Sequence, residues 1–326
     1  MTTLSRRQFL ASAAAAPLAL HPCFSRAAGR VITLIVPYPP GGSLDAMARV
    51  VAQGLGDLRG QSVVVENKPG FSGNIGAQYV VKGPADGSML LMTALTTYAI
   101  NASLMTKTMG YDLMKDLKHV AIVGDLPNVL IAPSSLPVQN LTEFVQYAKT
   151  KPGQLSYATT GVGSLEHIAG EMLCRAAGIE MLAVPYKGST PGVQDLFGGL
   201  IQAMFVNTST AINNLKTGRI RVLGIAGPAT VAALPGVQTF SAQGVRMMND
   251  VVSIFGIAAP AGTPQPVVDA LNQDINKVLA APEVHNRFSS LGVDVVTQPS
   301  EFAQDRVRRE IAIWDKVIKT TGITLD

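Results

Sequence analysis

Strand-like and helix-like stretches alternate almost from one end of this chain to the other, and that alternation leaves few folds open to it. Residues 31–38, 62–66, 88–93, 155–159, 181–186, 201–206 and 221–226 are short apolar runs. Residues 44–58, 75–81 and 165–177 instead repeat apolar residues at intervals of three and four. In 44–58 the apolar face is Leu44, Met47, Ala48, Val51, Leu55 and Leu58. A helix ending over 144–150 is stopped by Lys151-Pro152-Gly153, and another is opened by Thr190-Pro191, with the proline at the first helical position. Strand, helix, strand in this order predicts an α/β fold with parallel sheets covered by helices.

No low-complexity linker divides the chain, so its domains are read from where strands could cross between them. VLIAP (129–133) and FGIAAP (255–260) are apolar strands ending in Ala-Pro. A chain that leaves one lobe near 128 and returns near 250 has a first lobe of 28–127 plus 250–326 and a second of 128–249, joined by a two-strand hinge. Length agrees: with 47% of the chain apolar, the 299 residues beyond 27 exceed one compact core of typical size. Ligands of such folds sit in the cleft between the lobes.

Residues 1–27 stand apart. Arg6-Arg7 precede Phe9 and Leu10, an Ala- and Leu-rich run follows over 11–20, and small residues come at Ser25, Ala27 and Ala28. That is the order of an export signal, with paired arginines indicating the twin-arginine route and cleavage near Ala27-Ala28. The run is shorter than the roughly 20 residues a membrane span needs, so a removed signal and a periplasmic destination are expected. Cys23 follows Leu20-His21-Pro22, without the small residues that precede a lipidated cysteine. Cleavage leaves Cys174 as the only cysteine, so no disulfide within the chain is expected. It also removes Arg6, Arg7 and Arg26, leaving 23 basic against 22 acidic residues. With no basic cluster, nucleic acid is not an expected partner.

Two segments carry the functional signal. ITLIVPYPPGGSLDAMARVV (32–51) and YATTGVGSLEHIAGEML (157–173) each run strand, glycine-rich loop, serine, helix, one in each expected lobe. Gly42-Ser43-Leu44-Asp45-Ala46-Met47-Ala48 aligns with Gly163-Ser164-Leu165-Glu166-His167-Ile168-Ala169 at four identities and two similar positions. Ser43 and Ser164 are the expected N-caps. The first turns beyond them would leave unpaired N–H groups and a partial positive charge, which stabilise an anion. Glycines let a ligand approach the backbone closely, and Pro39 and Pro40 stiffen the first loop.

Enzymatic motifs fall short. Gly161-Val162-Gly163-Ser164-Leu165-Glu166 misses the dinucleotide fingerprint, because Glu166 stands where the third glycine would let helix and strand pack closely. Gly163-Ser164-Leu165 is not the Gly-x-Ser-x-Gly elbow of a hydrolase. His119 and His285 have no metal-ligand spacing, and Cys174 sits in mid-helix. The expectation is therefore no catalytic residue, no metal and no cofactor. An exported hydrolase using Ser164 and His167 is the enzymatic alternative.

The stretches VPYPPGGSLDAMAR, VVVENKPGFSGNIGA, ADGSMLLMT, YATTGVGSLEHIAGEML, VPYKGSTPGVQDLFGGLIQAMFVN, LKTGRIRVLGIAG and APAGTPQPVVDALN occur in this order along nearly the whole mature chain. In this the chain resembles the extracytoplasmic solute-binding proteins of the tripartite tricarboxylate transporter family, often called Bug proteins. The resemblance implies two Rossmann-like lobes, as in type II-like periplasmic binding proteins, closing on an organic acid. It implies that the two loops act as pincers on a carboxylate through backbone amides, hydroxyls and ordered water.

Carried onto this chain, the first pincer is Tyr38, Pro40, Gly41, Gly42, Ser43 and Asp45, and the second is Thr159, Thr160, Gly161, Gly163, Ser164 and His167. Phe71, Ser72, Thr93, Tyr186, Lys187 and Asn207 are implied wall residues. Val206 stands where many members carry Asp, which removes a partner for a ligand ammonium group. Phe71 and Ser72 stand where small residues are usual. Both departures favour a di- or tricarboxylate or an aromatic acid over an amino acid. A membrane permease is the implied partner, and a monomer suffices. A ligand sensor acting on a signalling partner is the alternative.

Overall fold

The computed structural model describes residues 31–325; the export motif, Cys23 and the cleavage region lie outside them. β1 (Ile32–Val36) feeds α1 (Ser43–Arg59), β2 (Val63–Asn67) precedes α2 (Asn74–Val81), and β3 (Met89–Ala94) runs straight into α3 (Leu95–Leu104). The long β4 (Leu117–Pro133) follows, then α4 (Leu141–Lys149), β5 (Leu155–Thr159), α5 (Leu165–Ala177), β6 (Met181–Pro185) and α6 (Ser189–Phe197). β7 (Ala203–Asn207) continues directly into α7 (Thr208–Leu215), followed by β8 (Ile220–Ala226) and β9 (Val252–Pro260). α8 (Gln265–Ala280), α9 (Pro282–Ser290), β10 (Asp294–Val295) and α10 (Ser300–Thr321) complete the described chain.

α1 forms for the reason its spacing suggests: Leu44, Met47, Ala48, Val51 and Leu55 are buried on one face, and Gly60 ends the helix in the left-handed conformation. Leu58 departs from that reading and is 47% exposed. α6 starts at Ser189, which places Pro191 third in the helix rather than first. β4 begins at Leu117, twelve residues before the apolar run at 129. Its first half, LKHVAIVGDLP, alternates too weakly to be read as a strand from sequence.

The strands follow the order β2-β1-β3-β9-β4-β7-β5-β6, with β8 and β10 also on β4. β1 is parallel to β2 and β3, and β5 is parallel to β6 and β7. The crossing strands are antiparallel to their neighbours, so each sheet is mixed where a purely parallel one was expected. β4 belongs to both sheets. Up to Pro127, which faces Val252, it pairs with β9; from Asn128, which faces Asn207 and Ala226, it pairs with β7 and β8.

Each sheet buries apolar residues on both faces. α1, α8 and α9 cover one face of the first sheet, while α2, α3 and the start of α10 cover the other. α4 and α5 cover one face of the second sheet, and α6 and α7 the other. α10 packs in both cores: Ala303 and Val307 lie in the first, Trp314 and Ile318 in the second, joined there by Ile323 just beyond the helix. A helix of 22 residues spans about 33 Å, enough to reach both.

Gly170 shows how closely α5 lies on β5. A Cβ at this position would meet the Tyr157 ring at 2.1 Å, and that ring is held by its hydroxyl donating to Glu171 Oε1 at 2.8 Å. Gly170→Ala is expected to destabilise the protein by about 1–3 kcal/mol through overpacking. Urea denaturation should show a lower midpoint with an unchanged slope.

Candidate ligand site

Because β1, β3, β5 and β7 lead into helices on the same side of the hinge, several helix N-termini meet there. A cavity of about 50 Å³ lies between them, lined by Gly42, Ser43 and Leu44 of the α1 start and by Ala94, Thr96 and Thr97 of the α3 start. Ser189 and Thr190 at the α6 start, Val206 and Asn207 before α7, and Thr160 and Glu166 at the α5 end complete most of the wall. Tyr38 and Pro39 close one side, and Ser253, Ile254 and Phe255 of β9 the other. No side chain caps α1, α3, α6 or α7. Their first-turn N–H groups supply donors and partial positive charge without a cationic side chain, and no residue lining the cavity is Lys, Arg or His.

Of the residues assigned from sequence, Tyr38, Gly42, Ser43, Thr160 and Asn207 line this cavity. The other pincer residues do different work. Asp45 accepts from Gly41 N at 3.0 Å, from Arg49 and from Asn67 Nδ2 at 2.9 Å, which ties the loop to its helix. Burial pushes its carboxyl up, but Arg49, the Gly41 amide and Asn67 outweigh that and hold it below the usual range.

Ser43 does not cap α1. It receives a bond from Ser209 at 2.5 Å and shares another with Thr210 Oγ1 at 2.8 Å, so its hydroxyl reaches across the cleft to α7. Pro40 gives its carbonyl to Thr190 Oγ1 across the same gap at 3.4 Å.

The second loop is a strut. Ser164 caps α5 by accepting from His167 N at 3.1 Å, and His167 Nδ1 accepts from Gly163 N at 3.2 Å. The Ser164–His167 pair needed by the hydrolase alternative is not formed, since both side chains are spent on the helix start. Burial also pushes the His167 imidazole below its ordinary pKa. Leu165 N donates to Thr97 Oγ1 at 3.3 Å, so the first turn of α5 is not the open anion site its sequence suggested.

Thr159 Oγ1 accepts from Gly161 N at 3.2 Å. Gly161, at φ +131°, passes so close to Ser72 that a Cβ would meet its hydroxyl at 2.5 Å, a contact only glycine permits. Ser72 donates to Val162 O at 2.5 Å and receives the Tyr38 hydroxyl on its carbonyl at 3.3 Å. Phe71 and Ser72 both adopt left-handed backbone, costing about 1–3 kcal/mol each, and Phe71 is exposed and does not line the cavity.

Thr93, Tyr186 and Lys187 are not in the wall. Thr93 packs against Gly256 within the sheet, Tyr186 donates to Asp195 Oδ2 at 2.6 Å, and Lys187 is exposed.

Thr96, Thr97, Ser189, Thr190, Glu166 and Ser253 were not foreseen. The signal for the first four was a Ser/Thr pair at a helix start; Ser253, inside an apolar strand, offered none. Thr96 secures α3 to β9 by donating to Val252 O and accepting from Ile254 N, both at 3.0 Å. Ser253 Oγ accepts from Asn128 Nδ2 at 3.0 Å and from Asn207 Nδ2 at 2.7 Å. Those bonds use both of its lone pairs, leaving its one proton for the cavity it lines.

A larger hollow of about 750 Å³ lies on the other side of the hinge, walled in part by the ion-paired Asp125, Arg306 and Glu310. None of its lining residues begins a helix. Among the described residues no group of three His, Cys, Asp or Glu could hold a metal, and no helix is long and apolar enough to cross a membrane.

Known proteins similar to this chain share its fold over most of its length. The family model described as "Tripartite tricarboxylate transporter family receptor" matches residues 47–323. Protein BugT of Bordetella pertussis is 35% identical over 298 residues, covering 91% of this chain and 90% of BugT. Among solved structures, the periplasmic binding protein BugD superposes with a TM-score of 0.86 at 31% identity, covering 91% of this chain and 99% of BugD. Rpa4515 of R. palustris with adipate gives 0.87 at 35%, covering 91% and 98%. MatC from Rhodopseudomonas palustris with bound malate gives 0.83 at 29%, covering 89% and 99%.

The hinge serine generates a test of the site. Ser253→Ala takes the shorter of two acceptors from each of the Asn207 and fully buried Asn128 amides, leaving Asn128 Oδ1 at 3.3 Å and Val251 O at 3.4 Å. It is expected to cost about 1–3 kcal/mol in urea denaturation, more than its loss of side-chain volume would.

Proposed function

The chain belongs to the tripartite tricarboxylate transporter receptor family, a family of carboxylate-binding solute receptors, and on that premise we propose that its ligand is a small di- or tricarboxylate or aromatic acid, held in the cavity between Ser43 and Asn207 and passed to a membrane permease. One observation carries this reading. Four uncapped helix N-termini open into one cavity whose wall has no cationic side chain. Each such end stabilises a nearby anion by about 0.3–1 kcal/mol, and more where it is partly buried, so together they can stand in for an arginine. Hydroxyls of Thr97, Ser189 and Ser253 add the short-range bonds.

Support for the acid class comes from two sides. Adipate and malate, in the two similar structures named above, are dicarboxylates. Val206 presents an apolar surface to the cavity at the position where an acid could pair with an ammonium group, which leaves Glu166 as the one carboxyl in the lining.

In this reading 28–127 plus 250–326 and 128–249 are the two lobes, turning about the Pro127–Asn128 step of β4 and the return into β9. The Ser43–Ser209–Thr210 hydroxyl cluster and the Ser72–Val162 bond latch the closed form. The twin-arginine leader delivers the folded receptor to the periplasm, where it acts as a monomer.

Thermal melting of residues 28–326 against succinate, malate, adipate, citrate, benzoate and amino acids tests the function. An acid present at a hundredfold its Kd is expected to add about 2.7 kcal/mol of stability and to be recovered unchanged. A cooperative melt that no carboxylate shifts would overturn the receptor reading. Consumption of the bound acid would overturn it in favour of an enzyme.

A further inference from the structure

The one carboxyl in the cavity has no counter-ion. Glu166, the second residue of α5, is only 8% exposed and lines the cavity directly. Thr160 Oγ1 donates to its Oε2 at 2.6 Å. Ser164 caps α5 by accepting from His167 N, and the Glu166 carboxyl adds to the same helix start through its own backbone amide. Tyr38, from the loop after β1, is a phenol whose pKa is raised by burial and by the charge of Glu166 itself. His167, next on the helix, turns Nδ1 to Gly163 N. No lining residue of α1, α3, α6, β7 or β9 carries a charge.

A receptor for anions that places a carboxyl against its ligand faces a like-charge conflict. In the free protein the ionised form has support from the Thr160 and Ser164 hydroxyls and from its own backbone amide. Burial nevertheless pushes Glu166 above its ordinary pKa. Entry of a second carboxylate within a few ångströms removes that balance, because two carboxylates sharing one site cannot both stay ionised cheaply. A ligand ammonium could answer the conflict in principle. However, it would sit in a cavity facing the positive ends of α1, α3, α6 and α7, which disfavour a cation.

Resting on the carboxylate reading, we propose that Glu166 takes up one proton from solvent as the ligand enters and, as a carboxylic acid, donates a hydrogen bond from its cavity-facing oxygen to the ligand carboxylate. Glu166 is thus a specificity residue, and each acid is captured together with a proton. The sign of the pH dependence follows. The protonated form is the one that binds, so affinity is highest at low pH. It falls as pH rises above the pKa of Glu166 in the free protein, by up to about tenfold per unit, until the pKa in the complex is passed.

The test is titration calorimetry of residues 28–326 with malate, adipate, succinate and glutamate from pH 5.5 to 8.5, in pairs of buffers with different ionisation enthalpies. The expected result is net proton uptake on binding a dicarboxylate and a Kd that weakens with pH. In Glu166→Gln, which keeps a donor at the same place but cannot titrate, uptake should vanish and Kd should become flat with pH. His167 is still present in that variant, so uptake that persists would assign the proton elsewhere and overturn the proposal. Tight dicarboxylate binding by wild-type protein with no proton uptake would overturn it and leave the receptor reading standing; that measurement does not depend on any variant folding. Binding of glutamate alone, lost in Glu166→Gln, would overturn it in favour of an ammonium partner. If none of the acids binds at any pH, the receptor reading falls, and the proposal with it.

Discussion

Everything at the site depends on one strand serving two sheets. β4 hydrogen-bonds to β9 as far as Pro127 and to β7 and β8 from Asn128 onward, so both halves of the molecule are anchored on one backbone ladder. Helices that follow strands of either sheet therefore start on the same side of that crossing. The step itself is held by the amides of buried Asn128 and half-buried Asn207, both donating to Ser253. An apolar strand crossing could not fix its register as firmly, because dispersion contacts have no direction, whereas a buried amide left unpaired is costly. The same serine faces the cavity, which couples hinge geometry to whatever occupies the site.

The cavity is positively biased without bearing a cation. Arginine would hold a carboxylate more strongly, but it would fill space and demand a desolvated partner at all times. Helix ends carry their charge in the backbone, and their donors point at the cavity whether or not it is filled. α5 is the exception, since Ser164, Thr97 and the Glu166 carboxyl satisfy its start from within the protein. The two loops that look alike in sequence have thus diverged in role. The α1 loop leaves its helix uncapped and sends its serine across the cleft, while the α5 loop caps its own helix and offers an acid.

Much of this was legible from residues alone because it depends on local pattern. The apolar spacing of 44–58 dictates a helix wherever the chain goes, and Gly-Ser before such a run marks its start. Gly42 and Ser43 could be placed at the cleft for that reason, while Tyr38, Thr160 and Asn207 were implied by the family resemblance. Thr96, Thr97 and Ser253 could not: α3 begins without a loop straight after β3, and Ser253 is one polar residue in an apolar strand. Which side such residues face depends on strand register against β4 and β3, which is a long-range property.

The amino-acid sequence by itself determined the α/β class, the strand–loop–helix units and the recurrence of a Gly-Ser loop before two helices, since these follow from propensity and spacing within about twenty residues. Only the tertiary structure decided that β4 is shared and that α10 packs into both cores. It alone decided that Ser43 bonds to α7 instead of capping α1, and that Glu166 faces the cavity. Each of those outcomes is set by contacts between segments far apart in the chain, where a hydroxyl or a carboxyl takes whichever partner the packing brings within 3 Å, and no local pattern encodes that choice.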